Sequence, residues 1–343
     1  MKFRSEPMKS DYLYLEKDFV YTRLQGLIWA KSGLLSPHSF QQSAEESLTE
    51  IYENVSDHKP LVVSCRGIKE IAGNKALDVL FSRCLEKKRK IIFAHLENVS
   101  LRNTIYEIMG RNKITNHNDT QSELCICNDR VIPENLEVDI ASLELDVVRN
   151  AVKDCYKVFS GGKKELVSTS ILASGEFDAT KIISNPKQFL WTSLLMADEL
   201  EKLKAEIHKR NEENKTSDYS ELKLISVSLR SSPFVSSVGL LTNTGYDTID
   251  HLGPKHKLFD IEILENIKKN VLYIFIGDFV AGGTEIKVAQ TYINLLDCKL
   301  KYAVAIGSLL KAEAFKEHFT LKPLIYLKQV GISDLAYELP FQN

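Results

Sequence analysis

The chain has 343 residues, of which 44% are hydrophobic and 26% are charged, which is typical of a globular protein with two domains. Its 44 Lys and Arg residues nearly balance 46 Asp and Glu residues, which argues against general nucleic-acid binding. No apolar run is long enough to span a bilayer and the N-terminus lacks a signal-peptide pattern, so we expect no membrane association and a cytoplasmic location. The six cysteines have no metal-ligand spacing, so no metal site is predicted.

The first 130 residues alternate predicted strands and helices. Two short β-rich runs, residues 19–24 and 27–33, precede a helical stretch over 39–55. The strands LVVSCRG (61–67) and IIFAHL (91–96) are each followed by a helix, which predicts an α/β sandwich.

Four residues between the strand over 61–67 and the helix that follows it carry a family resemblance. Ile71-Ala72-Gly73-Asn74 stands between strand and helix, and the following strand and short helix extend the pattern. This order resembles STAS domains, the fold of anti-sigma-factor antagonists. Those domains carry a phosphorylated Ser in an Asp-Ser-Ser-Gly tetrad, and Ala72, Gly73 and Asn74 occupy it here. The resemblance therefore implies a docking or dimerisation module in place of a phosphorylation switch.

A segment rich in Asn, Asp and Thr, residues 111–138, is the predicted linker. It gives domain limits of 1–130 and 139–343. The second domain opens with a predicted helix over 139–159, which the pair Gly161-Gly162 ends.

The second domain continues with a long predicted helix over 189–213 and a strand over 222–229 that runs into Arg230. A polar segment follows over 242–260, and then six apolar residues, 271–276, predict a buried strand. Two further strands are predicted at 302–310 and 323–330. We therefore expect a mostly parallel sheet flanked by helices.

The strand over 271–276 leads through Gly277-Asp278 into a small-residue turn and a helix that begins near Glu285. Such a turn lets backbone N–H groups face one point, and a helix N-terminus adds the positive end of its dipole. The spacing matches neither the Walker motif nor the dinucleotide fingerprint. It predicts a phosphate-binding cradle.

The stretch from Asp278 to Ile286 resembles the phosphoribosyl diphosphate (PRPP) motif of type I phosphoribosyltransferases, most closely that of orotate phosphoribosyltransferases. The resemblance covers roughly residues 140–343 and implies a Rossmann-like domain that binds PRPP or a nucleotide, with Mg²⁺ as a cofactor that accompanies PRPP. It implies catalytic roles for Asp278, Lys255 and Lys257, phosphate binding by Ala281, Gly282, Gly283, Thr284 and Glu285, diphosphate binding by Arg230, Ser231 and Ser232, and base contacts from Ser174, Gly175 and Lys181.

Three departures from the family pattern weaken the expected chemistry. Gly277 replaces the first of two acids that hold the ribose hydroxyls. The segment 242–260 resembles the family's mobile catalytic loop, but its nearest cations, Lys255 and Lys257, follow the Asp250-His251 pair that they should precede. Glu285 replaces a small neutral residue beside the phosphate.

Three functions stay open on this evidence. The first is a degenerate, regulatory binder of PRPP or a nucleotide, paired with a STAS-like domain that docks a protein partner. The second is an active nucleobase phosphoribosyltransferase. The third is an effector or structural subunit of a bacterial stress or defence complex. The resemblance also implies a homodimer.

Overall fold

A computed structural model describes residues 10–32, 39–40, 42–54, 59–71, 75–87, 90–114, 117–120, 123–126, 135–166, 169–214, 219–249, 270–309 and 319–327. The chain forms two compact units, Met1–Glu144 (unit 1) and Leu145–Asn343 (unit 2). The predicted domain limits of 1–130 and 139–343 stay a prediction from the sequence.

Unit 1 is built on a six-stranded sheet with the spatial order β1-β2-β4-β6-β8-β7. Its central strands β2, β4 and β6 are parallel neighbours, and β1 and β8 are antiparallel to the strands beside them. The strands are β1 (Tyr14–Glu16), β2 (Val20–Arg23), β3 (Ser39–Phe40), β4 (Leu61–Ser64), β5 (Glu70–Ile71), β6 (Ile91–Ala94), β7 (His117–Asp119) and β8 (Leu124–Ile126). The helices are α1 (Leu24–Ser32), α2 (Gln42–Asn54), α3 (Lys75–Lys87), α4 (Val99–Arg111) and α5 (Leu136–Cys155), of which α5 continues past Glu144 into unit 2. The helix predicted over 139–159 ends at Cys155, because residues 156–158 form a strand.

Three stretches of unit 1 differ from their predictions. Residues 39–40, expected to begin a helical stretch, form strand β3, and the predicted linker over 111–138 contains β7 and β8 of the sheet. Residues 27–33 were expected to be β-rich, but residues 24–32 form helix α1. Leu24, Leu27 and Ile28 are all buried at i, i+3 and i+4 spacing, so packing against the core favours the helix over β propensity.

Unit 2 is built on a five-stranded sheet with the order β14-β13-β15-β16-β17, in which every neighbouring pair is parallel. The predicted α/β class with a mostly parallel sheet is therefore confirmed. The strands are β9 (Tyr156–Val158), β10 (Lys164–Leu166), β11 (Thr169–Ala173), β12 (Gly175–Phe177), β13 (Glu221–Ser226), β14 (Tyr246–Thr248), β15 (Val271–Val280), β16 (Lys299–Ser308) and β17 (Thr320–Tyr326). The helices are α6 (Thr180–Ser184), α7 (Pro186–Asn214), α8 (Ser232–Leu241) and α9 (Thr284–Leu295).

The strand β15 lies at the centre of this sheet, and its residues 271–278 are all buried. A parallel strand that is buried on both faces has a continuous run of apolar residues, so it can be predicted from the sequence. Burial of each such apolar side chain stabilises the fold by roughly 1.5–3 kcal/mol. The strand is longer than predicted, because Phe279 and Val280 continue the pairing with Gly307 and Ser308 of β16.

The polar segment 242–260 was expected to be a loop, but its residues Tyr246–Thr248 form the edge strand β14. They pair in parallel with β13, and the ring of Tyr246 lies against Gly239 of α8. The part of the segment that stays a candidate for a catalytic loop therefore begins after Ile249.

A search of the described residues finds no helix with the length and apolar character needed to cross a membrane.

Candidate phosphate-binding site

The candidate site lies where β15 ends, at the carboxyl edge of the parallel sheet. Residues 281–283 form a turn, and α9 begins at Thr284. Gly283 precedes the helix in the left-handed conformation, with φ 73° and ψ 15°. Glycine adopts this conformation without a Cβ clash, which explains its place here.

The first turn of α9 supplies the hydrogen-bond donors of the cradle. Gly283 makes no side-chain cap, and the first described intrahelical bond runs from the Lys287 N–H to the Gly283 carbonyl. For the N–H groups of Thr284, Glu285 and Ile286, the described part of the chain provides no acceptor. These donors and the helix dipole suit an anion.

Asp278 precedes the turn and is almost enclosed, with 8% of its surface exposed. Its Oδ1 accepts a hydrogen bond from the Phe279 N–H at 2.7 Å. Burial raises the pKa of this carboxyl, and the Arg230 charge acts in the opposite direction. The side chain is therefore fixed beside the cradle.

Glu285 lies in the first turn of α9. Burial, reinforced by the negative charge of Asp278, raises its pKa from 4.5 to about 7, although Arg230 opposes the rise. Near neutral pH the cradle therefore contains a carboxyl that is partly protonated.

Arg230 stands within electrostatic range of three carboxyl groups. Its charge opposes the rise that burial causes in the pKa values of Asp278 and Glu285, and it adds to the fall that the Thr180 hydrogen bonds cause in the pKa of Asp178. The structure thus places Arg230 near Asp278 and Glu285.

Asp178 is a neighbour of this site that the sequence interpretation missed. Its Oδ1 accepts hydrogen bonds from the Thr180 hydroxyl at 2.6 Å and the Thr180 N–H at 3.2 Å. These bonds lower the pKa of Asp178. An Asp two residues before a Thr at a helix start is a capping signal that could have drawn attention to it.

Ser231 and Ser232 are predicted to bind a diphosphate. Ser231 is the N-cap of α8, and Ser232 is its first residue. Their N–H groups both donate to the Ser228 carbonyl, at 3.1 and 3.0 Å. The Ser231 hydroxyl lies 2.6 Å from the Ser228 hydroxyl. In this conformation the two amides are therefore already used within the turn, and Arg230 is the exposed group of the segment.

Of the predicted base-contacting residues, Ser174 lies between β11 and β12, Gly175 begins β12, and Lys181 lies in α6. The Ser174 carbonyl accepts from the Phe159 N–H at 2.8 Å, and Lys181 Nζ donates to the Asp154 carbonyl at 2.6 Å. A Cβ on Gly175 would stand 2.5 Å from the Lys157 carbonyl oxygen, so only glycine fits there.

An aromatic contact joins the antiparallel pair of β9 and β12, here called the β9–β12 hairpin, to β15, the strand that leads into the cradle. The rings of Phe177 on β12 and Phe279 on β15 stack with centroids 4.9 Å apart. Phe279 directly follows Asp278, and its ring lies close to Gly307 of β16. The hairpin that carries Ser174 and Gly175 therefore borders the same edge of the sheet.

Lys255 and Lys257, the predicted catalytic cations, lie outside the described residues. In the part of the chain that is described, no group of three or more His, Cys, Asp or Glu residues is arranged to hold a metal ion.

Neither a scan against protein-family models nor a search of curated proteins finds a match. Similar solved structures include the UMP synthase of Leishmania donovani, at 12% identity and a TM-score of 0.39, covering 85% of this chain and 55% of that chain. The chain thus spans about half the length of that protein.

Two smaller proteins are also similar. The orotate phosphoribosyltransferase of Aeropyrum pernix shares 12% identity at a TM-score of 0.37, covering 53% of this chain and 96% of that chain. The adenine phosphoribosyltransferase of Trypanosoma brucei was solved with AMP, pyrophosphate and ribose-5-phosphate. It shares 11% identity at a TM-score of 0.34, covering 53% of this chain and 80% of that chain. At these low values, the functional proposal depends on the residues of the site.

Proposed function

We propose that unit 2 is a phosphoribosyltransferase-like binding domain whose cradle holds the 5-phosphate of PRPP or of a nucleotide. The observation that carries this proposal is the turn after β15, where Gly283 in the left-handed conformation precedes three N–H groups of α9. Ala281, Gly282 and Thr284 complete the cradle, the last with its hydroxyl. Each charge-assisted hydrogen bond to a phosphate contributes roughly 1.5–3 kcal/mol.

The other predicted site residues bind the remaining parts of the ligand. Asp278 accepts a hydrogen bond from a ribose hydroxyl, and Arg230 binds a second phosphate through its planar guanidinium. The hydroxyls of Ser231 and Ser232 join Arg230, while Ser174, Gly175 and Lys181 face the base.

The proposed role is binding or regulation, with little turnover. A Cβ on Gly277 would lie 2.6 Å from a ring atom of Phe275, so an acid at this position requires the ring to move. A single enclosed carboxyl, Asp278, is then left to stabilise the oxocarbenium-like ribose of the transition state. Ionised Glu285 further opposes a phosphate dianion.

Magnesium would enter the site with PRPP. A diphosphate-bound Mg²⁺ keeps several waters and needs only one or two protein carboxylates, so Asp278 fits as its ligand without a dedicated metal cluster. When bound, the ion would neutralise charge on the departing diphosphate.

An active nucleobase phosphoribosyltransferase is the alternative. The position of Asp278 beside the cradle favours it, with Lys255 and Lys257 as the cations for the leaving group. A measurement of magnesium-dependent diphosphate release from PRPP in the presence of nucleobases distinguishes the two proposals. Release at ordinary enzyme rates would establish the alternative.

Unit 1 is proposed to be STAS-like and to dock a protein partner, in a homodimeric cytoplasmic protein. The support is its order of parallel strands and helices, β4-α3-β6-α4. Ala72, Gly73 and Asn74 lie outside the described residues, and in the sequence they replace the tetrad with the phosphorylated Ser, which favours docking over a phosphorylation switch. An effector or structural subunit of a bacterial stress or defence complex would share this unit but leave the cradle without a ligand.

A thermal-shift screen tests the binding function. The ligands are PRPP, orotidine 5-monophosphate and purine monophosphates, each with and without Mg²⁺, and the matching nucleosides are the controls. We expect phosphorylated ligands to raise the melting temperature and nucleosides to leave it unchanged. Equal effects of a nucleotide and its nucleoside would contradict the cradle, and no effect from any ligand would favour the structural subunit.

A further inference from the structure

A second group of polar side chains lies at the carboxyl ends of the parallel strands of unit 1. Arg23 ends β2, Ser64 ends β4, and His95 directly follows β6. Because these strands are parallel neighbours, the three residues lie along one edge of the sheet. Open α/β sheets bind ligands outside this edge. We call Arg23, Ser64, Arg66, His95 and Glu144 the edge cluster.

The charges of the edge cluster converge on one buried carboxylate. Glu144 of α5 lies 3.5 Å from the guanidinium of Arg23 and 3.5 Å from that of Arg66. It also accepts a hydrogen bond from the Tyr21 hydroxyl at 2.8 Å. The described contacts thus set two guanidinium groups against this one carboxylate.

His95 completes the edge cluster in a defined protonation state. Arg66 Nη2 donates to His95 Nε2 at 2.7 Å, and because a guanidinium has no acceptor, Nε2 carries no proton. The Nδ1–H then donates to the Ser64 hydroxyl at 2.9 Å. The ring is held there by a backbone with φ 58°, which a non-glycine residue rarely adopts. His95 therefore orients Arg66 without offsetting its charge.

A tight turn places Arg66 at the entrance to the edge cluster. The Ile68 N–H donates to the Cys65 carbonyl at 3.0 Å across this turn, and Gly67 has φ 77°. The Arg23 side chain is fully buried, whereas 32% of the Arg66 side chain is exposed. A ligand can therefore approach the Arg66 guanidinium from solvent while Arg23 contributes charge from beneath.

We propose that the edge cluster is a second binding site, for the phosphate or carboxylate group of a small molecule. Arg66 contacts the oxyanion directly, because a planar guanidinium matches either group in a bidentate way. The His95 ring, which is held by the Ser64 hydroxyl, orients that guanidinium. This site is separate from the cradle of unit 2 and belongs to unit 1 alone.

Hydrogen–deuterium exchange on the full chain locates this site without a mutation. The probes are sodium phosphate and sodium acetate, with sodium chloride at equal ionic strength as the control. We expect phosphate or acetate to slow exchange in residues 61–68 and 91–97, and the more effective anion identifies the group. The proposal would be overturned if neither phosphate nor acetate slowed exchange in these two segments more than chloride does.

Two variants then assign the effect to Arg66. Arg66→Gln should lower the apparent affinity of the effective anion in these segments by roughly tenfold or more. Arg111→Gln, at an exposed position of the same unit, should leave it unchanged. Equal affinities of Arg66→Gln and Arg111→Gln would contradict the proposal. If Arg66→Gln fails to fold, the wild-type exchange pattern still decides.

Gly283→Val separates this site from the cradle. It should remove phosphate protection around residues 281–286 and leave the protection of residues 61–68 intact. Loss of both would show that unit 1 has no anion site of its own. Protection of unit 1 with none around the cradle would contradict the function proposed for unit 2 and support this one.

Discussion

At the scale of single residues, two opposing effects act on the charge of Glu285. Its place in the first turn of α9 favours a negative charge, yet burial raises its pKa to about 7. Because its pKa is higher in the folded chain than the ordinary value of 4.5, the folded state binds the proton more tightly. The resulting stability is complete below about pH 4.5 and is lost as the pH rises through about 7.

Replacing Glu285 by Gln removes this dependence. At pH 5, Glu285→Gln and the wild type should have similar free energies of unfolding. At pH 8 the variant should be the more stable, by at most about 3 kcal/mol, since one pKa unit corresponds to about 1.4 kcal/mol. Urea unfolding at both pH values measures the difference, with Glu213→Gln on the exposed end of α7 as the control. A difference that does not grow with pH would contradict the raised pKa.

The same substitution should change ligand binding. Above pH 7 the ionised Glu285 repels the 5-phosphate, so Glu285→Gln should bind a nucleoside monophosphate up to about tenfold more tightly, or about 1.4 kcal/mol. Below pH 6 the two proteins should converge. Calorimetric titrations measure both affinities. Because both proteins are titrated in the same buffers, the ionisation of the ligand affects both affinities equally and cancels in their ratio. Weaker binding by the variant at pH 8 would show that Glu285 contacts the ligand favourably.

At the scale of elements, the hairpin of β9 and β12 depends on close backbone contact at Gly175. Gly175→Ala would place a Cβ 2.5 Å from the Lys157 carbonyl oxygen, which cannot rotate away. We expect a loss of about 1–3 kcal/mol, together with faster amide exchange in residues 156–158 and 175–177.

Gly245→Ala is the matched control for this hairpin. A Cβ there meets nothing closer than Lys223 Cγ at 3.7 Å. Unchanged stability of Gly175→Ala would mean that the hairpin is held less closely than the structure shows.

The elements differ in how well the sequence predicts them. The strand β15 and its glycine turn are visible because an apolar run and a Gly-Gly pair are both local signals. The edge strand β14 is not, since its Tyr-Asp-Thr sequence becomes a strand only by pairing with β13. Likewise, the sequence places Ser231 and Ser232 after a strand, but their hydrogen bonds to the Ser228 carbonyl depend on the conformation of the turn.

The edge cluster was missed for a related reason. Its charged and ring-bearing residues are spread over more than a hundred positions: Arg23, Arg66, His95 and Glu144. Considered alone, each would be predicted to lie on the surface. Parallel strand ends bring three of them together, and α5 supplies the fourth. Long-range pairing of this kind leaves no spacing pattern in a single sequence.

At the scale of the whole molecule, the resemblance to orotate phosphoribosyltransferases predicts a two-fold dimer. Light scattering at micromolar concentration should give twice the chain mass of 38.9 kDa. A monomeric mass would contradict the homodimer that the resemblance implies.

The central claim is that the turn between β15 and α9 binds a 5-phosphate. The most direct measurement compares PRPP binding to the wild type, to Gly283→Val and to Gly245→Val by calorimetry. Valine at Gly283 fills the cradle and disfavours the left-handed conformation, whereas Gly245 is exposed on the far side of β13 from β15. Ligand-free melting curves show whether either variant is unfolded.

We expect the wild type and Gly245→Val to bind PRPP equally, and a folded Gly283→Val to bind it more than tenfold more weakly, which exceeds about 1.4 kcal/mol. Equal PRPP binding by all three proteins would contradict the claim.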